Sequence, residues 1–498
     1  MKLSRPELLL CALFSGVMGF CPIVYAPTSK VVDTVMGWSL WALALLCLAF
    51  AFRPRPASPE PRMGVRALTL VLKAAIGAGV LGVSLWMHAY GYLMSFIMAQ
   101  PVAITMAVIE VTTLITCLIM AWRRPHLRPW TMGIGATLLF VGSFQFVVLA
   151  AWTYSPPAPE RCEAVLQEGL VERLTPASWA NEPSQPYMVR YLPDRGLVVA
   201  TFKMGGNGSF AQWDNPKSNR LIAIDVKDPS TVAVAPLGED DRVAVHLGHR
   251  ASTDEVLVSR QGGTTHALDV VSLKGFPDIR KVQSAEVENA PHHIMPHPDG
   301  SRYAVLSEHG DVGVFNGDTL AEGDRHFLGL LPDHVPAPLY GWNTPGSSTM
   351  YVSVLVYPVV KVDVDTGETS HSRGMYGGGH VVGHPPTEEV VVTDMLMNRV
   401  AVLGASDLVE KRSIALDYTP RALQMDTERD LLMVGGWFTG EVNFYRLSTL
   451  EPLGLSVQVG TTLRDLALDA ERGVLYAASK CGLHQVQLSP LLAQAESD

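Results

Sequence analysis

The feature that most constrains this chain is a series of five long apolar stretches within its first 155 residues. They span residues 8–25, 35–52, 67–88, 96–121 and 132–151. About 20 mostly apolar residues suffice for a helix to cross a bilayer, where backbone polar groups find no water. The pattern therefore predicts an α-helical transmembrane domain of about five helices over residues 1–154.

Positive charge alternates between the polar links that separate these stretches. The links on one side carry Lys2, Arg5, Arg53, Arg55, Arg62, Arg66, Arg123, Arg124 and Arg128. The links on the other side carry only Lys30. Because lysine and arginine concentrate in cytoplasmic links, we expect a multi-pass inner-membrane protein with a cytoplasmic N-terminus. Everything after Tyr154 would then lie outside the cytoplasm, in the periplasm of a bacterium with two membranes.

The first stretch has an alternative interpretation as a cleaved signal peptide. Residues 24–26 (VYA) loosely match the small-residue pattern of a cleavage site. Pro27 would follow the cut, which disfavours cleavage. Both interpretations leave the rest of the chain on the same side of the membrane.

One acidic residue, Glu110, lies near the middle of the fourth stretch. A carboxyl group in the bilayer core is costly, so a functional role in transport or signalling is one interpretation. A protonated Glu110 bonded to a neighbouring helix, at Gln145 or Lys73, is the other.

The two parts of the chain differ in charge. Residues 1–155 contain 11 Lys and Arg against 4 Asp and Glu, and residues 156–498 contain 27 against 44. The second part therefore has a net charge of −17. Nucleic-acid binding needs a basic surface, so this composition argues against such a partner.

A proline-rich linker at residues 155–161 precedes a domain at 162–498 that repeats one β-rich unit. Each unit has a strand, a turn with Pro, Asp or Gly, an apolar strand that ends on a small residue, a loop and a strand in which apolar and polar residues alternate; the strand before each turn would lie innermost. The small residues are Thr201, Ser259, Ser307, Ser353, Thr393, Gly435 and Ser479. Seven copies spaced 40 to 58 residues apart predict an all-β propeller of seven four-stranded blades.

Two of these units resemble the YVTN-repeat, lactonase-like propellers. The resemblance rests on VVTD at 391–394 with NRVAVL at 398–403, and on YVS at 351–353 with VDVDTG at 362–367. It covers roughly residues 160–490 and not the apolar stretches. Most members of that family have seven blades, so the resemblance implies a seven-bladed, WD40-like propeller. It implies little about function, because members bind diverse partners and only some are enzymes.

Ring closure involves both ends of the repeat. The last unit has three strands of its own, and residues 164–170 are available as a fourth. Cys162 and Cys481 are the two cysteines outside the apolar part, one near each end of the ring. An oxidising compartment would permit a disulfide between them; two unrelated thiols are the alternative.

Alignment of the units on their turns brings polar side chains together around the axis. One level would contain Tyr187, His292, Arg421 and Arg464, and the next His293, His380 and Asp465. The arginines suit an anionic ligand, and His293, His380 and Asp465 suit a transition metal. The alternative is a channel whose polar residues bond only one another and water.

Three functions follow from these patterns. The favoured one is a membrane-anchored extracytoplasmic propeller that binds a protein or small-molecule ligand, or acts as a scaffold. The second is a periplasmic lactonase-like hydrolase or metalloenzyme with its site at the propeller axis, although the sequence contains no G-x-S-x-G or H-E-x-x-H motif. The third is transport or signalling through the helices around Glu110.

Overall fold

The computed structural model of the chain describes residues 159–176, 179, 184–204, 219–238, 242–261, 265–328, 338–344, 346–354, 358–373 and 378–495. In these ranges it has two short α-helices, α1 (Pro159–Glu163) and α2 (Leu488–Ala495), and strands β1 to β28. The strands form seven antiparallel sheets of four strands each. The predicted seven-bladed β-propeller is therefore confirmed.

The blades follow one another along the chain. Blade 1 comprises β2 (Ser184–Leu192), β3 (Leu197–Met204), β4 (Arg220–Asp225) and β5 (Val232–Pro236). Blade 2 comprises β6 (Val243–Arg250), β7 (Glu255–Gln261), β8 (His266–Ser272) and β9 (Arg280–Val287). Blade 3 comprises β10 (Pro291–Pro296), β11 (Arg302–Ser307), β12 (Asp311–Asn316) and β13 (Glu322–Phe327). Blade 4 comprises β14 (Pro338–Asn343), β15 (Thr349–Val354), β16 (Val360–Asp363) and β17 (Thr369–His371). Blade 5 comprises β18 (Gly378–His384), β19 (Glu389–Asp394), β20 (Arg399–Gly404) and β21 (Glu410–Ala415). Blade 6 comprises β22 (Pro420–Asp426), β23 (Leu431–Gly436), β24 (Glu441–Arg446) and β25 (Pro452–Gln458). Blade 7 comprises β26 (Asp465–Asp469), β27 (Val474–Ser479) and β28 (Gly482–Gln487), and β1 (Val171–Arg173) is its fourth strand.

The first strand of every blade lies innermost. β2, β6, β10, β14, β18, β22 and β26 each contact the first strands of both neighbouring blades, and β2 meets β26 to complete the ring. These seven strands therefore surround the central axis, as expected from the alignment of the turns.

Hydrophobic cores lie between neighbouring blades rather than in one central mass. Side chains in a strand alternate between the two faces of the sheet, so consecutive residues of a second strand serve different interfaces. In β19, Val390 and Val392 pack towards blade 4 while Val391 packs towards blade 6. Because each blade buries both faces only against its neighbours, the apolar strands of the repeat require a closed ring.

Closure uses the N-terminal side of the domain, but not at the residues expected. The fourth strand of blade 7 is β1, where Val171 pairs with Val486. Residues 164–170 were predicted to supply it; instead they form a turn in which Gly169 has φ +73°. Val171 is buried in the core between blades 6 and 7. This burial favours residues 171–173 over residues 164–170 as the closing strand. Cys162 and Cys481 form a disulfide with a Cα–Cα distance of 5.1 Å.

The predicted transmembrane domain, with Glu110, lies outside the described residues. Among the residues that are described, no helix has both the length and the apolar character needed to cross a membrane.

Candidate functional site

The small residues that mark the repeat have a defined role at the axis. In several blades the hydroxyl on the second strand accepts a hydrogen bond from the inner strand of the same blade. The N–H of His246 donates to Ser259 Oγ at 2.9 Å, and the N–H of His380 donates to Thr393 Oγ1 at 2.7 Å. The pairing of the inner strand with the second strand shifts register at this point in both blades. The backbone N–H there has no partner in the β-ladder, and the hydroxyl accepts its hydrogen bond instead.

The same hydroxyls also reach the next blade. Ser259 Oγ donates to the carbonyl oxygen of His292 at 2.8 Å. Thr393 Oγ1 lies 3.2 Å from the carbonyl oxygen of Arg421, to which it donates. Each hydroxyl thus fixes two neighbouring inner strands relative to each other. Three of the sequence-predicted site residues, His292, His380 and Arg421, are positioned in this way.

Aromatic and imidazole rings from four blades fill the axis. The His246 ring centroid lies 4.2 Å from that of His292 and 4.9 Å from that of His293. Tyr340 lies 4.9 Å from His246 and 3.4 Å from His380, again between ring centroids. All five side chains are buried. We call these five residues the axial ring cluster.

Burial and neighbouring charges lower the pKa of three histidines of this cluster, His246, His293 and His380, and so keep them neutral. Burial lowers the pKa of His246 well below its ordinary value, and His292 and His293 lower it further. Burial also lowers the pKa of His380, with Arg421 and Arg190 as the next contributors. His246 Nδ1 and His293 Nδ1 lie 3.0 Å apart, so one imidazole donates and the other accepts.

Asp465 joins the two ends of the ring. Its carboxylate accepts hydrogen bonds from the backbone N–H of Val189 in blade 1 and of Leu466, each at 2.9 Å. Arg190 donates to the same carboxylate at 3.0 Å, and His380 Nδ1 lies 3.8 Å from it. Burial raises the pKa of Asp465. The carboxylate is therefore engaged between blades 7 and 1.

Arg421 and Trp437 form a buried cation–aromatic pair at the axis. The Arg421 guanidinium carbon lies 4.6 Å from the centroid of the Trp437 ring, and the two residues are only 4% and 9% exposed. Arg421 Nε and Trp437 Nε1 are shielded from solvent and donate no hydrogen bond to any part of the chain that the structure describes. Buried polar groups without partners are usually few in folded proteins; at this axis His246 Nε2 and His380 Nε2 are likewise buried without a hydrogen bond among the described residues.

Further cationic groups lie on blade 7. The guanidinium carbon of Arg464 lies 5.6 Å from the centroid of the Tyr187 ring. Lys480, in the turn between β27 and β28, is 4% exposed. Burial, together with the charge of Arg464, lowers the pKa of Lys480 to about 7.

All seven ligand candidates from the sequence lie around the axis: Tyr187, His292, His293, His380, Arg421, Arg464 and Asp465. Whether they bind a ligand stays a prediction. For the metal hypothesis, no group of three or more His, Cys, Asp or Glu side chains among the described residues is arranged to hold an ion. We therefore do not carry His293, His380 and Asp465 forward as a metal site.

Alignment of the repeat units on their turns did not assign His246 and Tyr340 to the axis. The constant spacing between the bonded inner-strand residue and the hydroxyl would have found them. This spacing is 13 residues in His246–Ser259, Tyr340–Ser353 and His380–Thr393. The spacing could not have found Trp437. It lies two residues after Gly435, and this is the one repeat unit whose second strand ends on a residue without a hydroxyl group.

Neither a protein-family model nor a curated protein matches this chain. The resemblance to YVTN-repeat propellers is thus supported at the level of the fold alone.

Proposed function

We propose that the propeller is a binding module for a small acidic ligand, held at the axis by Arg421. The observation that carries this proposal is the pair of buried donors, Arg421 Nε and Trp437 Nε1, without acceptors among the described residues. A guanidinium and an indole N–H donate hydrogen bonds and cannot accept them. A ligand that binds these two groups would therefore have to offer acceptors, and a carboxylate or another oxyanion would also place negative charge beside the buried guanidinium.

Burial favours a small ligand over a protein partner. Protein interfaces draw on side chains that are exposed in the free molecule, whereas Arg421 and Trp437 are nine-tenths buried. Small-molecule sites are concave, and a few polar groups in them fix the orientation of the ligand. We therefore favour ligand binding over a scaffolding role for this site.

We further propose that this module is anchored in the inner membrane and lies outside the cytoplasm. The five apolar stretches and the alternation of positive charge in residues 1–154 support the anchor and its orientation. The Cys162–Cys481 disulfide is compatible with an oxidising compartment. A reporter enzyme that is active only outside the cytoplasm, fused after residue 498, should be active. Activity of a cytoplasmic reporter at the same position would contradict this orientation.

The binding proposal is tested by titrating the full-length chain with acetate in a calorimeter. We expect saturable binding that Arg421→Gln abolishes, because glutamine keeps a polar side chain but loses the charge and the planar fork. Trp437→Phe keeps an aromatic face for Arg421 and loses only the N–H, so we expect a loss of about tenfold in affinity.

The matched control is Arg446→Gln on β24 of the same blade, where the arginine side chain is half exposed. It should bind acetate like the unmodified chain. Equal acetate affinity in Arg421→Gln and Arg446→Gln would refute the proposed site, and so would the absence of binding by any carboxylate. Thermal unfolding of each variant shows whether it is folded.

A further inference from the structure

His484 lies in the middle of β28, the last strand of blade 7, and its side chain has no exposed surface. Neither of its ring nitrogens forms a hydrogen bond within the part of the chain that the structure describes. A neutral imidazole has one N–H donor and one acceptor, whereas the protonated form has two N–H donors. The surroundings therefore offer no acceptor to the charged form, and its burial is costly.

The residue opposite His484 belongs to the strand that closes the ring. β1 has three residues, and its Arg173 pairs with His484 in the ladder with β28. Directly opposed residues of antiparallel strands point to the same face of the sheet, with their Cβ atoms about 4.5–5.5 Å apart. The Arg173 side chain is only 7% exposed, so its positive charge lies beside the imidazole and is shielded from solvent.

Two hydrogen bonds fix the Arg173 guanidinium in this place. It donates to Glu163 Oε1 at 2.9 Å and to the carbonyl oxygen of Cys162 at 3.3 Å. Both acceptors belong to α1, which the disulfide attaches to blade 7. Protonation of His484 would place a second positive charge beside this guanidinium, and like charges repel strongly in a medium of low polarity.

Burial and Arg173 both disfavour the charged imidazole. Burial lowers the pKa of His484 to about 3, and the charge of Arg173 is the next cause. The backbone of Gly482 acts in the opposite direction and makes the smallest contribution. A Cβ atom at Gly482 would lie 2.9 Å from Thr175 Oγ1 and 3.9 Å from His484 Cε1. The turn before β28, the closing segment and the imidazole are therefore closely packed.

No carboxylate among the described residues offsets the repulsion between His484 and Arg173. Glu163 is already paired with Arg173. Glu172 accepts a hydrogen bond from Gln485 at 2.7 Å, and these two residues point to the opposite face of the sheet because side chains alternate along a strand. The core on the His484 face is apolar and includes Val171, Val442, Val459, Leu463 and Val486.

The closing strand has few other attachments to blade 7. Its ladder with β28 has three residue pairs, whereas strands usually have about five or six residues. The flanking backbone hydrogen bonds join Leu174 to Leu483 and Gln487 to Leu170, each at 2.9 Å. The Cys162–Cys481 bond holds the segment independently of the ladder. Release of β1 thus requires neither unfolding of the other three strands of blade 7 nor loss of the covalent link.

We propose that His484 is a proton-sensitive latch: protonation of its imidazole releases β1 from β28, while the Cys162–Cys481 bond keeps the released segment attached. The latch is separate from the Arg421 site and does not rest on the proposed function. In the released state the imidazole regains its ordinary pKa of about 6.5, well above its value in the closed state. The latch therefore has its full strength above about pH 6.5 and weakens as the pH falls towards about 3. Over this range the released fraction rises by up to about tenfold per pH unit.

Hydrogen exchange of the full-length chain between about pH 5 and about pH 7.5 measures the released fraction. After correction for the intrinsic pH dependence of amide exchange, peptides that cover residues 170–175 should exchange up to about tenfold faster for each unit of acidification. Peptides that cover β23 should change much less. His484→Leu removes the titrating group and suits the apolar core, so it should abolish the pH dependence in residues 170–175. The control His384→Gln, at a partly buried histidine of blade 5, should retain it.

A pH dependence in residues 170–175 that persists in His484→Leu would overturn the latch. Equal acid sensitivity of β1 and β23 would also overturn it, because it would indicate unfolding of the whole ring. An acid response that requires prior reduction of the disulfide would assign the release to Cys162 and Cys481 rather than to His484. If His484→Leu does not fold, His484→Gln decides the outcome, since glutamine removes the titration and keeps a polar side chain.

Discussion

The hydroxyl of Thr393 accepts a hydrogen bond from the backbone N–H of His380 and lies 3.2 Å from the carbonyl oxygen of Arg421. It therefore joins the inner strands of blades 5 and 6 at the level of the axial ring cluster. Its buried position, with no exposed surface, means that water cannot replace it. Through this one hydroxyl, a residue of the repeat pattern helps to hold the Arg421 backbone in place, beside the pairing of β22 with β23.

Thr393→Val should weaken both the fold and acetate binding. Valine has nearly the same shape, so the variant leaves a buried N–H and a buried C=O without their partner, at a cost of about 1–3 kcal/mol. Denaturant unfolding measures the stability, and calorimetry measures the affinity. The separate variant Thr393→Ser keeps the hydroxyl and should bind acetate with the affinity of the unmodified chain. If Thr393→Val bound acetate like Thr449→Val, a variant at an exposed threonine of blade 6, the positioning role would be wrong.

Acid should destabilise the propeller through the buried histidines. Folding lowers the pKa of His246 and of His380, so below about pH 6.5 the unfolded chain binds more protons than the folded chain. Their contribution to stability is complete above that pH and is lost as the pH falls below it. The free energy of unfolding, measured between about pH 5 and about pH 8, should therefore decline on the acid side.

The comparison of two glutamine variants isolates this effect. The raised pKa of Asp465 acts with the opposite sign, so the pH curve of the unmodified chain alone does not identify the histidines. His246→Gln should show a shallower acid decline. His384→Gln, at the far end of β18 and only partly buried, should retain the full decline. Identical slopes in the two variants would contradict the assignment.

The Cys162–Cys481 bond should stabilise the closed ring. It joins residues separated by 319 positions, and loss of a native disulfide commonly costs about 2–5 kcal/mol. Thermal unfolding with and without reductant measures the difference. The double variant Cys162→Ser, Cys481→Ser should unfold at the temperature of the reduced chain and be insensitive to reductant. Equal melting of the oxidised and reduced chain would disprove a stabilising role.

Blade 6 has Gly435 at the position where the other six blades have a serine or threonine hydroxyl. A side chain at Gly435 would overlap Leu463, which reaches into the space from the segment before blade 7. Gly435→Ser should therefore destabilise the propeller by about 1–3 kcal/mol, although serine fits the repeat. Adding Leu463→Ala should recover part of this loss, as a double-mutant cycle measures. A neutral Gly435→Ser variant would show that the repeat tolerates a hydroxyl here.

Much of the fold was predictable because the repeat is local. Each unit carries its own strand pattern and turn residues, so the number of blades and the inner position of the strand before each turn follow from spacing. The closing strand was placed a few residues too early, because the burial of Val171 between two blades depends on contacts with Val442, Leu475 and other distant residues.

The site was only partly predictable. Alignment of the turns assigned seven residues to the axis, but it did not assign His246 or Tyr340, whose rings lie in contact there. The sequence also gave no indication that Asp465 is already engaged by Val189 and Arg190, since these groups come from opposite ends of the domain.

By itself, the sequence determined the repeat, the seven blades, the polar character of the axis and the apolar stretches from which a membrane domain is predicted. These properties depend on composition and spacing within short segments. Only the tertiary structure decided which polar side chains are satisfied by one another and which are not. Asp465 has its partners, while Arg421 and Trp437 retain buried donors without acceptors among the described residues. That distinction depends on the angles and distances between blades, because a hydrogen bond forms only over a narrow range of both.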